Sequence, residues 1–186
     1  MASDREVEIK FQITEMTPVR HRLQEAGFRQ LTPRTHEMNT LYDQKAKLRR
    51  RGALLRLRQY GQQWTLTYKD RSKFPSGRHK SRREVESRVE NGPATALILK
   101  ALGLEPSFSY EKFRSEWTDG KGHVVIDETP IGNYGEIEGP PEWIDATAKR
   151  LEISHDQYIT ASYAELFLAW KRKTRSRAQH MLFPNK

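Results

Sequence analysis

One pattern constrains this chain more than any other. Short stretches place charges at alternate positions with apolar residues between them, and the pattern returns along most of the length. It begins at Glu6-Val7-Glu8-Ile9-Lys10-Phe11. A strand has a side-chain period of two, so Glu6, Glu8 and Lys10 share one face while Val7, Ile9 and Phe11 share the other. The same alternation appears at Arg56/Arg58, in the strand ending at Lys69, at Arg82/Glu84/Glu86, at Lys112/Arg114 and at Glu136/Glu138, with Asp127 as a single addition.

The remaining signals fill in the elements. Strands are predicted over residues 4–14, 28–43 (with an irregularity at Thr32-Pro33), 54–58, 64–69, 82–86, 108–118, 123–128 and 134–138. Thr17-Pro18 starts a helix over 17–27, with Gly27 as its stop. Gly92-Pro93 starts another that runs to Leu102 and stops at Gly103. Further helices are expected over 142–149 and 157–173. The last carries the stripe Tyr163, Leu166, Phe167 and Trp170, read as a helix docked on the sheet. Residues 70–81 form a basic loop, and Asp119-Gly120-Lys121-Gly122 forms a hairpin turn. This is a mainly β chain of the α+β type. Its 186 residues make one domain over 1–186, including the C-terminal helix and a basic tail from about 174.

Composition narrows the chemistry. There is no cysteine, which removes disulfides, zinc–thiolate sites and cysteine nucleophiles. No apolar run is long enough to span a bilayer, and no signal-peptide core precedes the first strand, so a soluble, cytoplasmic protein without a membrane partner is expected. The formal charge of +9 calls for an anionic partner. Five of the cations lie in Lys171–Arg177. The others are interleaved with carboxylates, which argues against a nucleic-acid backbone as the partner. No Gly-Lys-Ser/Thr phosphate loop and no His-Glu-x-x-His motif is present.

Two arrangements remain open at this point. In an open sheet the charged faces are simply solvated. In a closed eight-stranded antiparallel β-barrel they line the interior, and the apolar residues point outward beneath the helices at 17–27, 93–102 and 157–173. A charged interior is costly: like charges about 4 Å apart at an effective dielectric of about 20 repel by roughly 4 kcal/mol. It makes sense around a polyanion and a bridging cation. Lys10, Arg56, Arg58, Lys69, Arg82, Lys112 and Arg114 suit phosphoryl oxygens. Glu6, Glu8, Glu84, Glu86, Asp127, Glu136 and Glu138 suit a hard divalent ion, Mg²⁺ or Mn²⁺, unless they pair internally with the cations.

The ordered set Glu6-Val7-Glu8-Ile9-Lys10, Leu55-Arg56-Leu57-Arg58, Thr67-Tyr68-Lys69, Arg82-Arg83-Glu84-Val85-Glu86, Lys112-Phe113-Arg114, Asp127 and Glu136-Ile137-Glu138 resembles the CYTH domain of the triphosphate tunnel metalloenzyme superfamily. Within it, His36–Asp43 and Ile126–Gly139 are similar to the class IV adenylate cyclase branch. Arg5 departs from the pattern, where the family usually has an apolar residue. The resemblance implies a charged tunnel that holds a triphosphate, with pairing into a homodimer in many members. Glu6, Glu8, Lys10, Glu136 and Glu138 are its implied catalytic residues. Glu6, Glu8, Glu136 and Glu138 lead the implied metal ligands, and the seven cations bind phosphate. The activity it implies is conversion of ATP to 3′,5′-cyclic AMP and pyrophosphate. Inorganic or thiamine triphosphate hydrolysis is the alternative within the family. A noncatalytic polyphosphate or nucleic-acid binding module is the alternative outside it.

Overall fold

The computed structural model describes residues 5–71 and 79–184, apart from the side chains of Arg5, Glu6, Arg71, Lys80, Ser81 and Arg82. Eight antiparallel strands carry the fold: β1 (Arg5–Ile13), β2 (Arg29–Asp43), β3 (Leu54–Tyr60), β4 (Gln63–Arg71), β5 (Lys80–Val89), β6 (Glu105–Thr118), β7 (His123–Thr129) and β8 (Gly132–Glu138). Their order is β1-β5-β4-β3-β2-β6-β7-β8, and β8 pairs back with β1. The seam between β1 and β5 is short, from Arg5 opposite Arg83 to Glu8 opposite Lys80. Among the described residues, β5 beyond Arg83 is laddered to β4, as far as Val89 opposite Trp64. β1 continues at Lys10 by exchanging backbone hydrogen bonds with Ile159.

The apolar parity packs outward, as the alternation requires. Ile9, Phe11, Ile13, Val124, Ile126 and Ile137 form a core with Leu23 of α1 (Met16–Glu25) and with Ile144 and Ala148 of α4 (Pro141–Arg150). Gly135 belongs to this packing, since a Cβ there would lie 2.1 Å from the Phe11 ring. A second cluster places Leu99 of α3 (Gly92–Ala101) over Leu57 of β3 and Tyr42 of β2. Gly27 sits just beyond α1 at φ +77°, a conformation suited to a residue without Cβ. The remaining helix before α3, α2 (Lys47–Arg50), is a single turn within the basic stretch after β2. Asp43 holds it by accepting from the backbone N–H groups of Gln44, Leu48 and Arg49.

Three expectations change. The last helix, α5, runs Tyr163–Thr174 and does not begin at 157. Ser162 caps it in a reciprocal box with Glu165, and Ile159 is already committed to β1. Nor does α5 lie on the outward face. Its Tyr163 and Phe167, with Leu166 and Trp170 beside them, pack on Leu41, Phe108, Tyr110 and Tyr134. Tyr110 and Tyr134 share strand parity with Lys112 and Glu136, so the helix closes over one end of the charged face. The stripe is apolar because it stoppers the interior, and the alternation pattern could not show this because it is blind to what lies at the strand ends. Finally, the 70–81 loop is shorter than expected, since Asp70, Arg71, Lys80 and Ser81 are strand residues; residues 72–78 lie outside the described part. The basic tail returns along β6, where Met181 exchanges backbone hydrogen bonds with Ser109 and Glu111.

Candidate active site

The charged parity of the strands gathers a continuous ionic network. Neighbouring strands in register place facing side chains about 5 Å apart, so strand pairing decides which charges meet. Lys10 faces Glu136 across β1 and β8, and Arg114 faces Asp127 across β6 and β7. Lys10 is ion-paired with Glu136. Arg114 forks onto Asp127 at 2.7 and 2.6 Å and reaches Glu136 at 2.5 Å. Lys112 donates to Asp127 at 2.8 Å. Tyr163 reaches in from α5 and donates its hydroxyl to Asp127 at 2.6 Å. The Lys10 and Lys112 ammonium groups each lie 4.7 Å from the Tyr163 ring centre, an attraction the ring quadrupole supplies.

Burial decides how strongly these pairs bind. Lys10 and Lys112 are each 2% exposed, and Asp127 is 0% exposed. A bare charge at such depth costs several kcal/mol, so each needs its partner. Burial alone would lower the Lys10 pKa, but Glu136, Glu8 and Asp127 outweigh it and push it up to about 12. Burial would raise the Glu136 carboxyl, yet Lys10 and Arg114 hold it well below the usual carboxylate range. Burial and the adjacent Asp127 raise the Tyr163 phenol well above its ordinary value, so it stays a donor.

The β3–β4–β5 wall is organised differently. Arg56 donates to Thr67 at 3.3 Å, Thr67 donates to Glu86 at 2.9 Å, and Glu86 lies 3.9 Å from Arg56. Lys69 pairs with Glu84 at 2.9 Å. Arg58 meets a residue that the charge pattern did not single out: Glu37 of β2, at 3.2 Å. Glu37 and Asn39, which donates to it at 2.9 Å, are both fully buried. They share a strand face at positions i and i+2, so the signal was present in the sequence, but one carboxylate beside one amide is weaker than a charged pair. Thr67 and Tyr110 were missed for the same reason: polar or aromatic residues on the charged parity carry no formal charge. Tyr163 was missed because it enters from helix α5.

Glu8 and Glu138 stand opposite one another across β1 and β8. Partial desolvation and then the Glu8 carboxylate push Glu138 up to about 7, against the pull of Lys69. Two carboxylates forced together in this way favour either a proton or a cation between them. The donors are all oxygen, which fits a hard divalent ion. Glu6 and Arg82 are cross-strand partners at the neighbouring position; their side chains lie outside the described part. Asp127 and Glu136 are engaged by Lys10, Lys112 and Arg114, Glu84 by Lys69, and Glu86 by the Arg56 guanidinium and the Thr67 hydroxyl. Among the described residues, no three histidine or carboxylate side chains converge as a ready-made metal cage.

An interior of this kind, on this sheet, defines a class. The CYTH domain family model matches residues 4–164, and the chain belongs to that family. Its fold is shared with a candidate adenylate cyclase from Vibrio parahaemolyticus, with a TM-score of 0.77 at 17% identity over 88% of this chain and 97% of that one. It is also shared with a candidate adenylate cyclase from Bacillus halodurans, with a TM-score of 0.62 at 16% identity over 89% and 99% of the two chains. A third match is a candidate adenylyl cyclase from Hippeastrum, described as having dominant triphosphatase activity, with a TM-score of 0.59 at 18% identity over 88% and 95%. At these identities the likeness is one of fold. No curated protein sequence matches the chain. Proteins of this family process triphosphates and are in general metal-dependent. No helix among the described residues is long and apolar enough to cross a membrane.

Proposed function

We propose that the protein is a metal-dependent enzyme that binds a triphosphate within its ring of strands, used as a tunnel, and converts ATP to 3′,5′-cyclic AMP and pyrophosphate. The observation that supports this is the juxtaposition of an acidic pair, Glu8 and Glu138, with a buried cation array on the same strand face. Glu8 and Glu138 would hold Mg²⁺ or Mn²⁺, with Glu6 as a further ligand and Glu136 beside them. When bound, the ion would neutralise phosphate charge and acidify the attacking hydroxyl. Lys10, Arg56, Arg58, Lys69, Lys112 and Arg114, with Arg82 as a further candidate, hold the phosphate chain and stabilise the charge that moves onto departing pyrophosphate. Arg114 is already fixed by Asp127 and Glu136, so it meets the substrate pre-oriented. In the cyclase reaction the ribose 3′-oxygen bonds to the α-phosphorus, the bond to the β-phosphate oxygen breaks, and the hydroxyl proton is released. A homodimer goes with this reading, and sedimentation velocity tests it.

The second reading is hydrolysis of a triphosphate at its terminal phosphorus. The same lining can serve it, and the shared fold of the Hippeastrum protein with dominant triphosphatase activity supports it. Product analysis separates the two. Purified protein with ATP and Mg²⁺ or Mn²⁺ should yield cyclic AMP and pyrophosphate in equal amounts. Orthophosphate from tripolyphosphate or thiamine triphosphate, without cyclic AMP, overturns cyclisation. Binding without any turnover, weakening steeply with salt, would instead indicate a noncatalytic polyanion binder. The double substitution Glu136→Ala with Glu138→Ala should lower turnover by about 100-fold or more at saturating metal. Unchanged turnover would reject their role.

A further inference from the structure

A carboxylate removed from water is expensive unless its surroundings return the lost hydration. Glu37 is 0% exposed and has no network of backbone donors to do this. It lies on β2, the strand between β3 and β6, opposite Tyr60 on one side and Lys112 on the other. From there its carboxylate spans two strands of cations. One oxygen is 3.2 Å from Arg58 Nε and 3.8 Å from Arg114 Nε; the other is 3.4 Å from Lys112 Nζ and accepts the Asn39 amide at 2.9 Å.

The geometry of these contacts matters as much as their distances. Neither the Glu37 oxygen nearest Arg58 nor Arg58 Nε has a well-aligned hydrogen-bond partner. The attraction is thus mainly coulombic. Lys112 and Arg114 are held by Asp127 from the far side, so Glu37 completes their neutralisation on the near side. Without it, three cations on facing strands would repel one another in a poorly hydrated interior. Lys112, Arg114 and Arg58 keep the Glu37 carboxyl well below its usual range despite the opposing effect of burial, so it remains an anion at any working pH.

We propose that Glu37 is a positioning residue: an internal counter-charge that holds Arg58, Lys112 and Arg114 as one array for the phosphate chain. This rests on the triphosphate reading above. Glu37 acts through the cations and does not itself contact the reacting atoms.

The test pairs binding with turnover. Glu37→Gln keeps the side-chain volume and removes the charge. Calorimetry with tripolyphosphate in the absence of metal should show binding within threefold of wild type or tighter, since one negative charge leaves the interior. In the product assay kcat should fall at least tenfold, and Glu37→Asp should recover part of that loss. Asn39→Ala, which frees the Glu37 carboxylate from its orienting amide, should lower kcat in the same direction by less. This split between binding and turnover is not what a merely structural role would give. Such a role would lower the melting temperature and the active fraction, leaving the kinetic constants of the folded protein unchanged. The proposal is overturned if folded Glu37→Gln or Asn39→Ala turns over within twofold of wild type, or if binding and turnover are lost together with the fold. Wild-type protein that neither binds tripolyphosphate nor turns over any triphosphate would sink the functional reading itself, a result distinct from those of the variants.

Discussion

The two halves of the charged face hold their charges in different ways. On the side of β1, β6, β7 and β8, each ion has several partners: Asp127 serves Lys112, Arg114 and Tyr163, and Glu136 serves Lys10 and Arg114. On the side of β3, β4 and β5 the contacts among the described residues are fewer, and the Glu86 side chain is 43% exposed. The first half lies beneath α5; the second carries the exposed Glu86. Enclosure and connectivity go together because a deeply buried ion cannot be left to water. A half-exposed ion can be, and its pairing then contributes little. The difference lies mainly in the carboxylates: Arg56 and Lys69 are each 13% exposed, much like Arg114 at 14%, while Glu86 reaches into solvent.

Removing a partner from each half is the most direct way to break this comparison. Asp127→Ala leaves Lys112 to the Glu37 carboxylate 3.4 Å away, strands the Tyr163 hydroxyl and takes the fork from Arg114. It should cost about 3–5 kcal/mol in urea denaturation, as for other broken buried pairs. A cost below about 1 kcal/mol would show that the enclosed network is no more coupled than the open one.

A smaller effect tests the acidic pole between the two halves. The Glu138 carboxyl rises from 4.5 to about 7 on folding. Between those values the folded chain binds a proton that the unfolded chain has released, so stability falls as pH rises through this window and levels off above it. Melting temperatures of metal-free protein from pH 4.5 to 8 should show that decline. Glu138→Gln should flatten it, and divalent metal should oppose it. A stability that rises through the same window in wild type but not in the variant would reject the crowding of Glu8 and Glu138.

The smallest change is expected from Glu86→Gln. It loses an exposed, 3.9 Å approach to Arg56 while keeping an acceptor for Thr67. The urea-derived stability should shift by less than about 1 kcal/mol. A loss comparable to that of Asp127→Ala would erase the distinction between the halves.

Strand alternation made much of this legible. Every charged stretch read from the sequence lies in a strand, and the irregularity near Thr32-Pro33 is a shift of register between β2 and β6. Residues of like parity share a face by geometry, so Lys10, Lys112, Arg114, Asp127 and Glu136 could be grouped without knowing strand order. Their partners could not. That Arg114 meets Asp127 and Glu136 follows from register across β6, β7 and β8, which no local pattern encodes. Glu37 and Tyr163 were illegible for two further reasons. Glu37 lacked a second charge beside it. Tyr163 lies on a helix whose period of 3.6 gives no hint that one ring would enter a sheet's interior.

The placement of Tyr163 has a consequence for measurement by size. A passage open at both ends can let a long anion slide and present any of its units to the same side chains. Here α5 fixes a floor, with an aromatic ring between two lysines and a hydroxyl bound to Asp127. An extended anion that reaches this floor has a defined zero, and every unit behind it falls at a set depth. On the triphosphate reading proposed above, the interior would register chain length as well as charge, in the way a depth gauge reads from its foot.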